Sequence, residues 1–296
     1  YYLSAPPDHD RIFFILLSVN LTILCIITMP FLELIDESFD INSSENYELS
    51  VQMSPYGLSY CILDTIRNKY ILLRGTDPDE PKLLTADKAA EIIISDDFLL
   101  RKFKKVNLIL PSSGSTLVPA PLFDPEKKEE YFTLNLIKEE NDVILYNRIP
   151  EPDSYVIYSV SRQFSELATK LFPGVSPFHH TVPLLQQVSH FSRNEFGLYV
   201  HAHLGKEYFN LLILEHGALK FFNTFNYKNI TDILYYVFNT YKNMSISREE
   251  TINLSGHVQM NDELYLKISR YLKNIKFRVP EGNFSFSYVF SDIELL

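Results

Sequence analysis

Two stretches decide the fold: Leu49–Leu63, LSVQMSPYGLSYCIL, and Leu198–Leu212, LYVHAHLGKEYFNLL. They overlay without a gap. Each reads as an apolar strand, a tight turn (Pro55-Tyr56-Gly57 or Gly205-Lys206) and a second strand. A third strand follows in both places, Lys69–Gly75 after the first hairpin and Ala218–Phe225 after the second. A helix comes next. Thr85–Lys105 carries Ala89, Ile92, Ile93, Leu99, Leu100 and Phe103 along one stripe. The helix capped by Asn229 carries Ile230, Ile233, Leu234, Val237, Phe238 and Tyr241. Short strands then close both units, Val106–Pro111 and Thr251–Gly256.

A supersecondary unit that repeats this way is an internal duplication. The order β-β-β-α-β-α-β, used twice, excludes a Rossmann plan, which alternates strand and helix from the start. It is the order of a ribonuclease-H-like lobe. Two such lobes around a cleft make an α+β or α/β protein of actin-like ATPase architecture. Between the duplicated units, Tyr131–Ile137, Val143–Asn147 and Tyr155–Val160 read as strands, and Ser112–Thr116 as a loop. A helix capped by Ser161 carries Phe164, Leu167, Ala168 and Leu171, and Pro173-Gly174 stops it. Residues 175–190 read as a further strand or a lobe connector. In the second unit, an Asn261-capped helix runs through Leu264, Ile268, Tyr271, Leu272 and Ile275, and Phe284–Phe290 alternates as a last strand. The expected divisions are 1–35, a doubtful apolar segment, 36–190, the first lobe with its connector, and 191–296, the second lobe.

With 296 residues, 46% hydrophobic and 22% charged, the chain is long enough for a substantial core and is neither disordered nor polytopic. A net charge of −10 repels phosphate backbones, so a nucleic-acid partner is not expected. The strongest basic run, Arg101–Lys105, falls at an expected helix C-terminus, where cations complement the dipole. Two cysteines, Cys25 and Cys61, form no disulfide framework, consistent with a reducing cytoplasm. The apolar run Ile12–Thr28 has two readings. One is a single-pass signal anchor behind Arg11, which would make the protein membrane-tethered. The other is a segment outside the native protein, with translation starting at Met29; its break in composition from everything that follows favours this one.

Four stretches resemble one bacterial family: Glu33–Asn42 (ELIDESFDIN), Ser44–Asp64 (SENYELSVQMSPYGLSYCILD), Ser115–Phe123 (STLVPAPLF) and Ser291–Leu296 (SDIELL). The family is a domain of unknown function, number 3822. It is similar to the pilus-assembly PilM and cell-division FtsA proteins. The likeness covers residue 33 to the end. It implies an actin-like ATPase fold and assigns no activity.

The resemblance also implies where a nucleotide would sit: phosphates at the two hairpins, each normally bearing Asp-x-Gly, and adenosine at a Gly-Gly turn after a later strand. Here Gln52 and Ser54 stand in the first Asp-x-Gly places, beside Gly57 of the turn. His201 and His203 stand in the second pair, beside Gly205. Ser255 and Gly256 keep the shape of the adenosine turn, with His257 in place of its second Gly, and Asn210 is neutral where an acid would follow. A degenerate cofactor-binding cleft of Gln52, Ser54, Gly57, His201, His203, Gly205, Ser255 and Gly256 is therefore expected. ATP is not favoured as a cofactor, and hydrolysis by the family-type route is not expected.

Other candidate chemistry is sparse. His201 and His203 share a strand face, but a metal site needs a third ligand, and His216 is too far along the next strand. His179 and His180 point to opposite faces if extended. Ser112–Thr116 lacks the Lys of a Walker motif. The aromatic excess over Tyr208–Tyr241, with Phe221 and Phe222 in succession, suggests an exposed docking edge for a protein partner.

Overall fold

Residues 31–76 and 83–278 are described in the computed structural model of the chain. Ile12–Thr28, the loop at Asp77–Pro81, the strand expected at Phe284–Phe290 and the Ser291–Leu296 tail lie outside them.

The first unit contains β1 (Phe31–Ile35), β2 (Tyr47–Ser54), β3 (Gly57–Asp64), β4 (Lys69–Thr76), α1 (Ala86–Ser95) and β5 (Lys105–Ile109). Its sheet has the order β1-β4-β3-β2-β5, antiparallel except where β5 runs parallel to β2. β1 therefore belongs to the first sheet, although its residues fall in the segment read as doubtful. Helix α1 stops ten residues before the expected end at Lys105. The cause is Asp96, whose carboxylate accepts the Phe98 and Leu99 N–H groups at 2.8 and 3.2 Å, forming a turn that competes with the helix. Arg74 and the Tyr60 hydroxyl donate to the same carboxylate at 2.8 and 2.7 Å and fix it in place.

A three-stranded sheet is inserted next, in the order β6-β8-β7: β6 (Ser115–Pro119), β7 (Asp142–Ile149) and β8 (Ser154–Ser161), with α2 (Lys128–Thr133) packed on it. Two expectations fail here. Ser115 and Thr116 open a strand rather than a loop. Tyr131–Ile137 does not form a strand; its first residues finish α2. The start signal is Asp124-Pro125-Glu126: the Asp124 side chain caps the turn and Pro125 fits the first helical position. Of the alternating Phe132, Leu134 and Leu136, only Phe132 is fully buried.

Helices α3 (Arg162–Leu171) and α4 (Thr181–Ser192) lead to the second unit. The stretch 175–190, left open as strand or connector, is helical from Thr181, and before it Phe178 makes a single parallel bridge to Ile109. Pro183 is tolerated in the first turn of α4, where backbone N–H groups lack intrahelical partners anyway. The second unit is β9 (Leu198–Leu204), β10 (Tyr208–Glu215), β11 (Ala218–Asn226), α5 (Ile230–Asn243), β12 (Ile252–Gly256), α6 (Glu263–Ile268) and β13 (Ile275–Phe277). Its sheet order is β11-β10-β9-β12-β13. Asn229 caps α5 with a full capping box, as the sequence suggests. α6 is capped by Asp262 rather than Asn261, and it ends at Ile268, so Ile275 lies in β13 instead of on the helix.

Strands β9 and β10 are buried on both faces, which is why they read as continuous apolar runs. One face, with Val200, Ala202, Leu204, Phe209, Leu211 and Ile213, packs with α5 and α6 in the second lobe's own core. The other face carries Tyr199, Leu212 and Leu214, which join Leu184, Leu185 and Val188 of α4 and the first sheet in one continuous core. Period-two geometry places His201, His203 and Asn210 on this second face, turned toward the other lobe. The expected aromatic edge is only half exposed. Phe221 packs on the second core and Phe222 on the shared one, because successive strand residues point to opposite faces.

Candidate functional site: a small cleft and a buried histidine cluster

The two hairpin turns meet. Between them lies a cleft of about 60 Å³, lined by Gln52, Ser54, Tyr56, Gly57, Leu58, Ser59 and Thr76 from the first lobe and Gly205, Lys206 and His257 from the second. Tyr56 lies near Glu207 of the other lobe, and its phenol pKa is raised by burial and by that carboxylate. Each turn is held from the end of the third strand of its own lobe. In the first, Thr76 Oγ1 accepts the Leu58 N–H at 3.1 Å and sits 2.8 Å from where a Cβ on Gly57 would stand. In the second, the Tyr227 hydroxyl donates to Gly205 O at 2.6 Å, and Gly205 N–H donates to Tyr208 O at 2.8 Å. Burial, with Glu207 nearby, pushes the Tyr227 phenol up to about 12.

Of the sequence-derived candidates, Gln52, Ser54, Gly57 and Gly205 line this cleft; His201, His203, Ser255 and Gly256 do not. They form a second cluster, in which His201 and His203 are buried and Ser255 and Gly256 are partly exposed. His201 Nε2 and His203 Nδ1 lie 2.8 and 2.7 Å from the same atom, Ser255 Oγ. A hydroxyl has one proton, so it donates to one ring and accepts from the other. His201 is fully enclosed; burial, then His203 and Arg278, hold its pKa down to about 3, so the ring is neutral. Its Nδ1 is buried without a hydrogen-bond partner. Gly256 has φ +84°, and a Cβ there would come within 2.1 Å of Leu204 O. The glycine that keeps the shape of an adenosine turn is thus required by its own sheet neighbour.

The cluster continues into the first lobe through residues that the sequence reading kept apart. His179 and His180 do not lie on a strand with opposed side chains; they open α4, with ring centroids 4.2 Å apart. His180 Nε2 donates to Asn210 Oδ1 at 2.9 Å, and Asn210 Nδ2 donates to Thr224 at 2.9 Å. His179 N–H donates to Asn147 Oδ1 at 2.8 Å, and its Nε2 lies 3.0 Å from the Ser112 carbonyl. The only available signal was composition, four histidines in two pairs; their meeting depends on α4 crossing the lobe boundary. Among the described residues no three His, Cys, Asp or Glu side chains converge on a metal position.

The residues present do not fit a magnesium nucleotide. Among the described residues no carboxylate lines the cleft, its volume of about 60 Å³ is far below the roughly 300 Å³ at which ligand pockets begin, and the Leu58 N–H is already bonded to Thr76.

The duplicated hairpins, the two sheet orders and the cleft between them define a two-lobed protein of the actin-like ATPase fold. A Bacteroides thetaiotaomicron protein with an actin-like ATPase fold and unknown function superposes with a TM-score of 0.75 at 22% identity, over 87% of this chain and 97% of that one. The PilM–PilN type IV pilus biogenesis complex gives 0.47 at 12% identity, over 78% and 88%. An Aquifex aeolicus Ppx/GppA family member gives 0.37 at 10%, over 77% and 67%. No curated protein matches the chain. The chain belongs to the family of proteins of unknown function DUF3822, whose model matches residues 36–275.

Proposed function

We propose that this protein is a cytoplasmic, catalytically degenerate member of the actin-like fold that works by binding a protein partner rather than by hydrolysing ATP. The small size of the cleft carries this reading: the two hairpins approach with Tyr56 near Glu207, leaving about 60 Å³, room for a few water molecules. The places that the family resemblance gives to metal-organising carboxylates hold Gln52 and His201 instead. The cytoplasmic placement is supported by the cysteine usage. Among the described residues no helix is long and apolar enough to cross a membrane.

The test is thermal unfolding of the full chain with and without Mg-ATP and Mg-ADP. Unchanged melting at saturating concentrations is the expected result. A ligand that binds only the folded state adds about 2.7 kcal/mol at a hundredfold excess over its Kd, so a clear upward shift overturns the proposal and revives a nucleotide-binding ATPase. A membrane-tethered, PilM-like assembly role depends on Ile12–Thr28. Mass spectrometry of the native N-terminus decides it, since a chain starting at Met29 has no such tether.

A further inference from the structure

Helix α4 crosses the lobe boundary with two kinds of contact. Its later turns are apolar: Leu184, Leu185 and Val188 share a core with Tyr199, Leu212 and Leu214 of the second sheet. Its start is polar. His180 bonds Asn210 of β10, and its ring centroid lies 6.4 Å from that of His203, which shares Ser255 with His201. These three rings and His179 are at most 2% exposed. Their bonds favour uncharged rings. His179 Nε2 donates to the Ser112 carbonyl at 3.0 Å and its Nδ1 accepts the Thr181 N–H at 3.4 Å, which leaves no place for a second proton. A cation there would also face the positive end of the α4 dipole. His201 Nδ1 is buried with no hydrogen-bond partner, so a proton on it would meet no acceptor. The titratable neighbours come from several elements. Tyr158 of β8 lies 4.7 Å from His179, Tyr208 of β10 lies 5.5 Å from His180, and Tyr199 stacks on His201 at 6.2 Å, centroid to centroid. Burial raises the Tyr158 and Tyr199 phenols, which stay uncharged. Arg278 donates to the Tyr199 hydroxyl at 2.9 Å and is paired with Glu195 at 3.2 Å. Lys206, Glu207 and His257 lie beyond His203, at the cleft.

We propose that the histidine cluster is an acid-sensitive latch: uncharged rings hold the start of α4 against the second sheet, and proton uptake releases it and widens the cleft while the rest of each lobe stays folded. The apolar turns of α4 act as the hinge, because their contacts carry no titratable group. The cleft responds because Gly205, in its lining, is only two residues beyond His203. Released rings reach water and take up protons that the latched form excludes, so acid favours release. Burial, then His203 and Arg278, depress the His201 pKa, in keeping with this direction. The latch goes beyond partner binding and does not depend on whether a nucleotide binds.

The test is amide hydrogen exchange of the full chain between about pH 8 and 4, read by mass spectrometry as protection factors, which divide out the intrinsic pH dependence of exchange. The sign follows from a depressed folded pKa: protection is full above the ordinary value of 6.5 and falls below it. Over residues 178–184 the fall is expected to be about tenfold per pH unit for His201 alone. Residues 230–243 of α5, inside the second lobe, are expected to keep their protection. His201→Gln is expected to remove about that tenfold per unit from the slope at 178–184. His190→Gln with His216→Gln, both exposed, is expected to leave the slope unchanged. Nitrogen-15 NMR of the wild-type rings needs no variant to fold, and is expected to show the His201 ring uncharged at about pH 5. Equal loss over 178–184 and 230–243, a His201 ring that charges near pH 6.5 with protection intact, or a wild-type slope in His201→Gln would overturn the latch.

Discussion

The first and second lobes lay the same hairpin down and then decorate the same sheet face differently. In the first lobe the face opposite the main core carries Ser50, Gln52 and Ser54, with Asn107 donating to Ser50 at 3.2 Å. In the second lobe the aligned positions are Tyr199, His201 and His203. Small hydroxyls leave a thin polar face beside the cleft. Large rings instead fill the space against α4 and bind across the lobe boundary through His180 and Asn210. The lobes also part company after their fourth strands. β12 ends in Gly256, which bonds tightly along β9. β5 instead leads through Ser112 toward His179 and the inserted sheet. Duplication supplies a scaffold, then, and the side chains on one face determine whether a lobe lines a cleft or packs into its neighbour.

The largest effect should come from Gly256→Ala. The added carbon meets backbone on a rigid neighbouring strand, and the positive φ adds strain, so a loss of about 4 kcal/mol or more is expected. Chemical denaturation measures it; a loss below about 1 kcal/mol would mean the second lobe's turn is as loose as the first's. Next is acid stability. His201 has a folded pKa near 3 against an ordinary value of 6.5. A depressed folded pKa means that the unfolded chain binds protons first. Stability is therefore full above about pH 6.5 and falls as pH drops toward 3, by on the order of 4 kcal/mol from this one group. His201→Gln copies the first lobe's residue at the aligned position and should flatten that dependence in melting experiments between pH 7 and about 4. An unchanged slope would place the acid sensitivity elsewhere.

Smaller effects separate the two turns. Thr76→Val keeps the shape but leaves the Leu58 N–H buried without its acceptor, for an expected loss of about 1–3 kcal/mol. Tyr227→Phe removes one hydrogen bond to Gly205 O and should cost about 1 kcal/mol, since the Gly205 N–H remains bonded to Tyr208. Equal losses would show that the two turns are held with equal strength despite their different clasps.

Much of the fold was legible because it rests on local pattern. The aligned hairpins, the stripes of α1, α3 and α5, and the Asn229 cap all act within a few residues. The errors have separate causes. Phe132, Leu134 and Leu136 alternate like a strand, but Asp124-Pro125 starts a helix first. Residues 175–190 lacked a clear period because α4 is buried on several sides, and α1 ended early through contacts from Arg74 and Tyr60. For the candidate site, the family resemblance grouped Gln52, Ser54, Gly57 and Gly205 with His201, His203, Ser255 and Gly256, and the first four line the cleft. Thr76, Tyr56 and Lys206 could not, since their roles depend on how the two hairpins face each other.

Sequence alone determined the duplication, the lobe order and the aligned places of Gln52 and His201 in the two hairpins, because strand period and residue identity are properties of the linear chain. Only the tertiary structure decided that the cleft is small and that Ser255 joins the buried His201 and His203 in a cluster reaching His180. It also assigned Gly256 to its neighbour Leu204. Those outcomes depend on distances between residues far apart in sequence, and α4 and the paired sheets fix them when the lobes pack.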